Sequence, residues 1–163
     1  MIKASSKDPK DIRSEKVSNF KNAVQLTPQI AAHIKDGLQA LKPYVSKVTL
    51  ANPSLCEGSV DIDTAVITSY PQANRWDYAF GYAGKIYYVE VHGASTSEVK
   101  VVIKKLIWLK DWINSDAPEL KKLLPVSSFH WLQSGRYSIL RGSSQERLAA
   151  INKIIPKSNL VLK

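Results

Sequence analysis

Glu90 and His92 stand two residues apart in "KIYYVEVHG", so on an extended chain their side chains share one face. Upstream, "NRWDYAFGY" carries Arg75 and Asp77, again two apart. Two carboxylates brought together can hold a hard divalent cation, and an imidazole beside them has three uses. It can move a proton, hold a phosphate when protonated, or ligate a softer metal.

What brings them together is a hairpin. Ala83-Gly84 reads as a compact turn between two aromatic-rich, β-prone runs. An even-numbered loop there sets Asp77 opposite Glu90 and Arg75 opposite His92. One face then carries Arg75, Asp77, Ala79, Ile86, Tyr88, Glu90 and His92. The other carries Trp76, Tyr78, Phe80, Tyr82, Tyr87, Val89 and Val91, and reads as the core face. Direct opposition places the two carboxylate-bearing Cβ atoms about 5 Å apart, where like charges repel. Mg²⁺ or Mn²⁺ would offset that cost, and so would Arg75 without any metal. A solvated sheet face with ordinary charge pairing is the alternative.

Several elements must position this hairpin. "TPQIAAHIKDGLQALKP" predicts a first helix over about 28–42, with Thr27 as N-cap and Pro28 at the first helical position. "YVSKVTL" and the alternating "SVDIDTAVIT" read as strands before the hairpin. "STSEVKVVIKKLIWLKDWI" is the clearest helix, with Ser95 and Glu98 at capping-box spacing. Its apolar stripe is Val99, Val102, Ile103, Leu106 and Leu109, with Lys100, Lys104 and Lys105 largely off it. A short helix over "DAPELKKLL" has its own Asp116/Glu119 box. Then come a strand over "SSFHWLQ", a possible one over "RYSIL", a helix capped by Ser143 with Glu146, and a possible terminal strand in "NLVLK". Residues 1–18 read as a flexible basic arm, and 19–163 as a single α/β domain with a mixed central sheet flanked by helices.

An acid in the second of three antiparallel strands, then Glu-x-Lys in the third, then a helix, is the pattern of the PD-(D/E)xK nuclease superfamily, and this chain resembles it. The resemblance covers about residues 28–133 and implies a restriction-endonuclease-like α-β-β-β-α-β core, here with an added C-terminal helix and possible strand. It implies that Asp77 and Glu90 bind Mg²⁺ or Mn²⁺ with the Val91 carbonyl, and that the substrate is a DNA or RNA phosphodiester. One position departs: His92 stands where the family has its lysine, so Asp77, Glu90 and His92 become the expected catalytic set. Lys100, Lys104 or Lys105 could reach back from the helix to replace the lysine, Lys100 being nearest in sequence. The superfamily often adds an acid from the first helix. Asp36 is the only one there, and Asp61 and Asp63, on one face of the preceding strand, read as better placed.

Composition bounds the rest. The chain of 163 residues has a formal charge of +9, which suits a phosphate-rich partner as well as a merely lysine-rich surface. One cysteine, Cys56, excludes an intrachain disulfide, and no apolar run approaches a membrane span. With no apolar secretory segment in the first residues, the expectation is a cytoplasmic protein without a membrane partner. There is no zinc-ligand spacing and no Gly-rich phosphate loop. "SGR" at 134–136 reads as a turn whose Arg136 could contact phosphate. Three functions follow: a divergent metal-dependent nuclease, a nuclease-like binding or regulatory module without catalysis, or an unrelated α/β protein.

Overall fold

A computed structural model describes residues 18–123 and 128–163, so nearly all of the expected N-terminal arm lies outside the described residues. Among these, a four-stranded mixed sheet is flanked by helices, and a two-stranded parallel sheet packs nearby. The central strands are β2 (Cys56–Asp61), β3 (Tyr78–Tyr82), β4 (Lys85–His92) and β5 (Phe129–Gln133). They lie in the order β2-β3-β4-β5, antiparallel except that β4 and β5 run parallel. The small sheet pairs β1 (Val48–Leu50) with β6 (Leu160–Leu162). The helices are α1 (Asn19–Gln25), α2 (Ile62–Val66), α3 (Val99–Ser115), α4 (Pro118–Lys121) and α5 (Ser144–Ile151). No helix among the described residues is long and apolar enough to cross a membrane.

The hairpin has the expected register. Tyr82 pairs with Lys85 and Tyr78 with Val89, so the next positions out are Asp77 and Glu90. Ala83 and Gly84, with φ of 51° and 80°, make the two-residue turn whose twist suits paired strands. The burial of the two faces differs from expectation. Ala79, Ile86 and Tyr88 lie in the larger core with the α3 stripe, and Glu90 on the same face is buried too, whereas Phe80, Tyr82 and Val89 join a smaller cluster with Leu41, Val48 and Leu160. Trp76 belongs to the larger core as well, because the residues before Tyr78 are not yet strand and do not alternate.

Two other expectations are overturned. The helix over 28–42 does not form: the segment makes short 3-10 turns at Ala31–His33 and Gln39–Leu41. Between them Lys35 bonds to the edge of β2, its N–H donating to Ser59 O at 2.8 Å and its carbonyl accepting from Ser59 N at 2.9 Å. Covering an open sheet edge outweighs helical periodicity here. The helix that packs on the sheet before β2 is α1 instead, capped by Ser18, with Phe20, Ala23 and Val24 buried at helical spacing. Strand 59–68 also stops early. Asp61 accepts from Thr64 N at 2.9 Å and starts α2. Further on, "RYSIL" contributes only an isolated bridge, Ser138 to Ser95. Ser143 caps α5 as expected, and "NLVLK" supplies β6.

α1 lies against β3 because Gly81 lets it. A Cβ at Gly81 would sit 2.4 Å from the Phe20 Cβ and 2.5 Å from its Cγ. Gly81→Ala is therefore expected to destabilise the fold by about 2 kcal/mol, read as a shift in a urea unfolding midpoint. An unchanged midpoint would mean that α1 is not held there.

Candidate functional site

The site forms where β3 enters the sheet and β4 leaves it. Asp77 is clamped from both sides by backbone. Its carbonyl accepts from Ile62 N at 2.8 Å and Asp63 N at 3.3 Å, the first N–H groups of α2. Across the hairpin Asp77 N donates to Glu90 Oε2 at 3.1 Å, and Val91 N donates to Asp77 Oδ2 at 3.0 Å. These reciprocal bonds hold the two carboxylates in the opposed positions the register dictates.

The charge that offsets them comes from α3. Lys105 Nζ bonds to Asp77 Oδ1 at 3.3 Å and makes a short contact with Glu90 Oε1. Val102, Lys105, Leu106 and Leu109 follow at helical spacing, so Lys105 lies on the buried stripe rather than off it. Lys100 and Lys104 are exposed, so of the three lysines that could reach back from the helix it is Lys105, not the one nearest in sequence, that does.

His92 bridges two acids. Its Nδ1 is 3.3 Å from Glu90 Oε1, and its Nε2 is 2.5 Å from Glu98 Oε2. Glu98 thus serves His92, and the expected Ser95/Glu98 capping box does not form. The backbone of His92 is fixed as well: its carbonyl accepts from Ser134 N at 3.0 Å and Trp131 Nε1 at 3.2 Å. Glu90 is fully buried, while side-chain exposure rises through Lys105 at 16%, Asp77 at 20% and His92 at 23% to Glu98 at 37%. The cluster therefore grades from a dry end at Glu90 to a solvent-exposed end at Glu98, beside the first turns of α3.

Burial, then the Glu90 charge, pushes the Asp77 carboxyl up from 3.8 to about 6, with Lys105 opposing. The folded chain thus keeps a proton that the unfolded chain releases between about pH 4 and 6. Ionising Asp77 costs the fold on the order of 3 kcal/mol as pH rises through that window. The hydrogen bond to Glu90 raises His92 against the opposing effect of burial, with Glu98 adding to the rise. Burial works against the Lys105 ammonium, but Glu90 and Asp77 together outweigh it and raise its pKa. All three shifts have one origin, a partly dry cluster with more acid than base.

The other expected residues are placed elsewhere. Arg75 does not offset Asp77 and Glu90: its Nε bonds to Asp63 Oδ1 at 2.8 Å and its Nη1 to the Tyr70 carbonyl at 2.8 Å. Asp61 is the last residue of β2 and Asp63 lies in α2, so the two do not share a strand face. Asp61 caps α2 and Asp63 pairs with Arg75, so this segment supports Asp77 through backbone only. Asp36 is exposed and 3.8 Å from Lys21. At the far end of α3 Trp108 and Trp112 stack on each other, and Trp112 Nε1 donates to Gln29 at 2.8 Å, which is packing. Sequence reasoning named Lys105 without singling it out and gave Glu98 a different task. A lysine in phase with Val102 and Leu109 was the available signal.

All four carboxylate oxygens of Asp77 and Glu90 are engaged by Lys105, His92 or a backbone N–H, so a hard divalent cation would compete with Lys105 for them. Asp77 and Glu90 supply carboxylate oxygens, and with Lys105 they carry a net negative charge when ionised. Among the described residues no group of three or more His, Cys, Asp or Glu side chains is arranged to hold a metal. Two carboxylates are nevertheless what Mg²⁺ commonly takes from a protein when water and substrate phosphate complete its shell. Comparison of the chain with protein-family models, curated protein sequences and solved structures returns no match in any of the three.

Proposed function

We propose that this chain is a divergent metal-dependent nuclease of PD-(D/E)xK type, its lysine supplied by α3 instead of by β4. The observation that carries the reading is Lys105 Nζ against both Asp77 and Glu90. The run α1, β2, β3, β4, α3, β5, with β4 parallel to β5, supports it, since the α-β-β-β-α-β order expected of that superfamily can be traced through it once β1, α2 and α4 are taken as additions.

In this reading Asp77 and Glu90, with the Val91 carbonyl, would hold Mg²⁺ or Mn²⁺, which when bound would supply Lewis acidity for attack of water on a phosphodiester. Lys105 places a fixed positive charge where the scissile phosphate would gather negative charge. His92, engaged at both ring nitrogens, orients Glu90 and does not replace the lysine. The net charge of +9 favours a polyanionic substrate, DNA or RNA.

The test is calorimetric titration with Mn²⁺ and Mg²⁺, beside cleavage of plasmid and single-stranded substrates, on wild type and Asp77→Asn. Wild type is expected to bind and cut, and the variant to do neither. Because Asp77 must lose its proton to ligate, Mn²⁺ affinity should be about tenfold weaker at pH 5 than at pH 7. Binding of metal and nucleic acid without turnover would instead make this a nuclease-like binding module. No metal binding, even with nucleic acid present, would remove the catalytic reading.

A further inference from the structure

The chain that leaves β5 does not turn away from the site. Ser134 N donates to His92 O at 3.0 Å, Ser138 N to Ala94 O at 2.8 Å, and Leu140 N to Thr96 Oγ1 at 2.9 Å. Residues 134–140 therefore run beside 92–96, carrying the parallel β4–β5 pairing past the end of both strands. The open edge of a parallel pair at its carboxyl ends is where α/β sheets receive ligands. Ile139, only 6% exposed, anchors this segment in the larger core.

What the anchored segment turns outward is basic and aromatic. In "SGRYSILRG" every residue except Ile139 is exposed, and the stretch contains no acid. Tyr137 is 45% and Leu140 67% exposed. Arg136 and Arg141 form no ion pair with any carboxylate among the described residues, in contrast to the committed Arg75. Two guanidinium groups without an acidic partner among the described residues, beside an uncovered ring and an uncovered aliphatic side chain on a backbone held by hydrogen bonds, match the needs of one partner chemistry. Phosphates take the arginines, and an unstacked base takes the ring. A duplex hides its base faces, so the ring selects single strands.

We infer that residues 134–142 form a binding strip for single-stranded nucleic acid, with Arg136 and Arg141 on phosphates and Tyr137 stacked on a base. The identity of the partner rests on the phosphodiester reading of the neighbouring carboxylates, while the strip itself needs no metal.

Fluorescence anisotropy with a labelled oligothymidylate of about 20 nucleotides, in EDTA, tests the strip without cleavage. Wild type is expected to bind in a salt-dependent way. Arg136→Ala/Arg141→Ala should bind about tenfold more weakly, with a salt slope shallower by about 1.4, the loss of two single-strand phosphate contacts. Tyr137→Ala should weaken oligothymidylate binding about tenfold yet leave duplex binding unchanged, and Tyr137→Phe should restore it. These residues are exposed, and thermal melts confirm that the variants fold. Wild type that fails to bind, or variants that bind as wild type does, would overturn the strip. Strip-dependent binding without Mg²⁺- or Mn²⁺-dependent cutting would keep the strip and remove the nuclease reading. Cutting by variants with unchanged oligothymidylate affinity would do the reverse.

Discussion

Lys105→Met is expected to destabilise the protein by about 3 kcal/mol at pH 8 and to abolish cleavage. The methionine keeps most of the aliphatic stem packed beside Val102 and Leu109, so what is lost is the ammonium. Asp77 and the fully buried Glu90 then face each other with no cation between them, and stranding a buried charge costs several kcal/mol. The sign of the pH dependence follows from Asp77. Burial and Glu90 already push it up to about 6, and losing Lys105 removes what held it down. Below that value the variant escapes the repulsion by keeping a proton, so its deficit should shrink at pH 5. Mn²⁺ should restore part of the stability at pH 8, because Lys105 no longer competes for the same oxygens, while cleavage stays lost. Urea unfolding at pH 5 and pH 8, with and without Mn²⁺, reads all of this. A variant as stable as wild type at pH 8 would show that Lys105 does not neutralise the pair.

Glu90→Gln is expected to lower metal-dependent cleavage by roughly 10²–10³-fold or more, the range for a single electrostatic group in an active site. Its effect on stability should be a loss as well. If the amide oxygen of the variant accepts from Asp77 N, its NH2 faces the Lys105 ammonium, which Glu90 Oε1 accepted from, and a buried donor is left without an acceptor. Relieved of its neighbour, Asp77 should titrate lower in the variant, visible in the pH dependence of stability or in carboxyl carbon NMR shifts. Loss of cutting under conditions where urea unfolding shows the variant still folded would mark Glu90 as functional. Cutting that falls only in step with the folded fraction would make it a structural acid.

The parts of the fold legible in the sequence are those set by short-range geometry. The hairpin register came from a two-residue turn and an alternation of period two. Both act within a few residues, and a slip by one would swap the side chains of two differently packed, buried faces. The presence of α3 and α5 was readable from apolar periodicity, although α3 begins only at Val99 and α5 ends at Ile151, short of Pro156. The segment 28–42 was not, because its helical spacing of Ile30, Ile34 and Leu38 competes with a sheet edge that only the folded chain presents. Nor was α2, since "VDIDTAV" alternates like a strand and also places Asp61 as a cap three residues before Thr64.

The sequence by itself determined the opposed pair Asp77 and Glu90, with His92 one step along the same strand. Only the tertiary structure decided what answers their charge. Arg75, nearest on the hairpin, is drawn to Asp63 by a helix that the sequence had disguised as strand. Lys105 takes its place because the rotation of α3 against the sheet is set jointly by Val99, Val102, Leu106, Leu109, Trp112 and Ile113. A turn and an alternation act locally, whereas the azimuth of a helix is a property of its whole buried face.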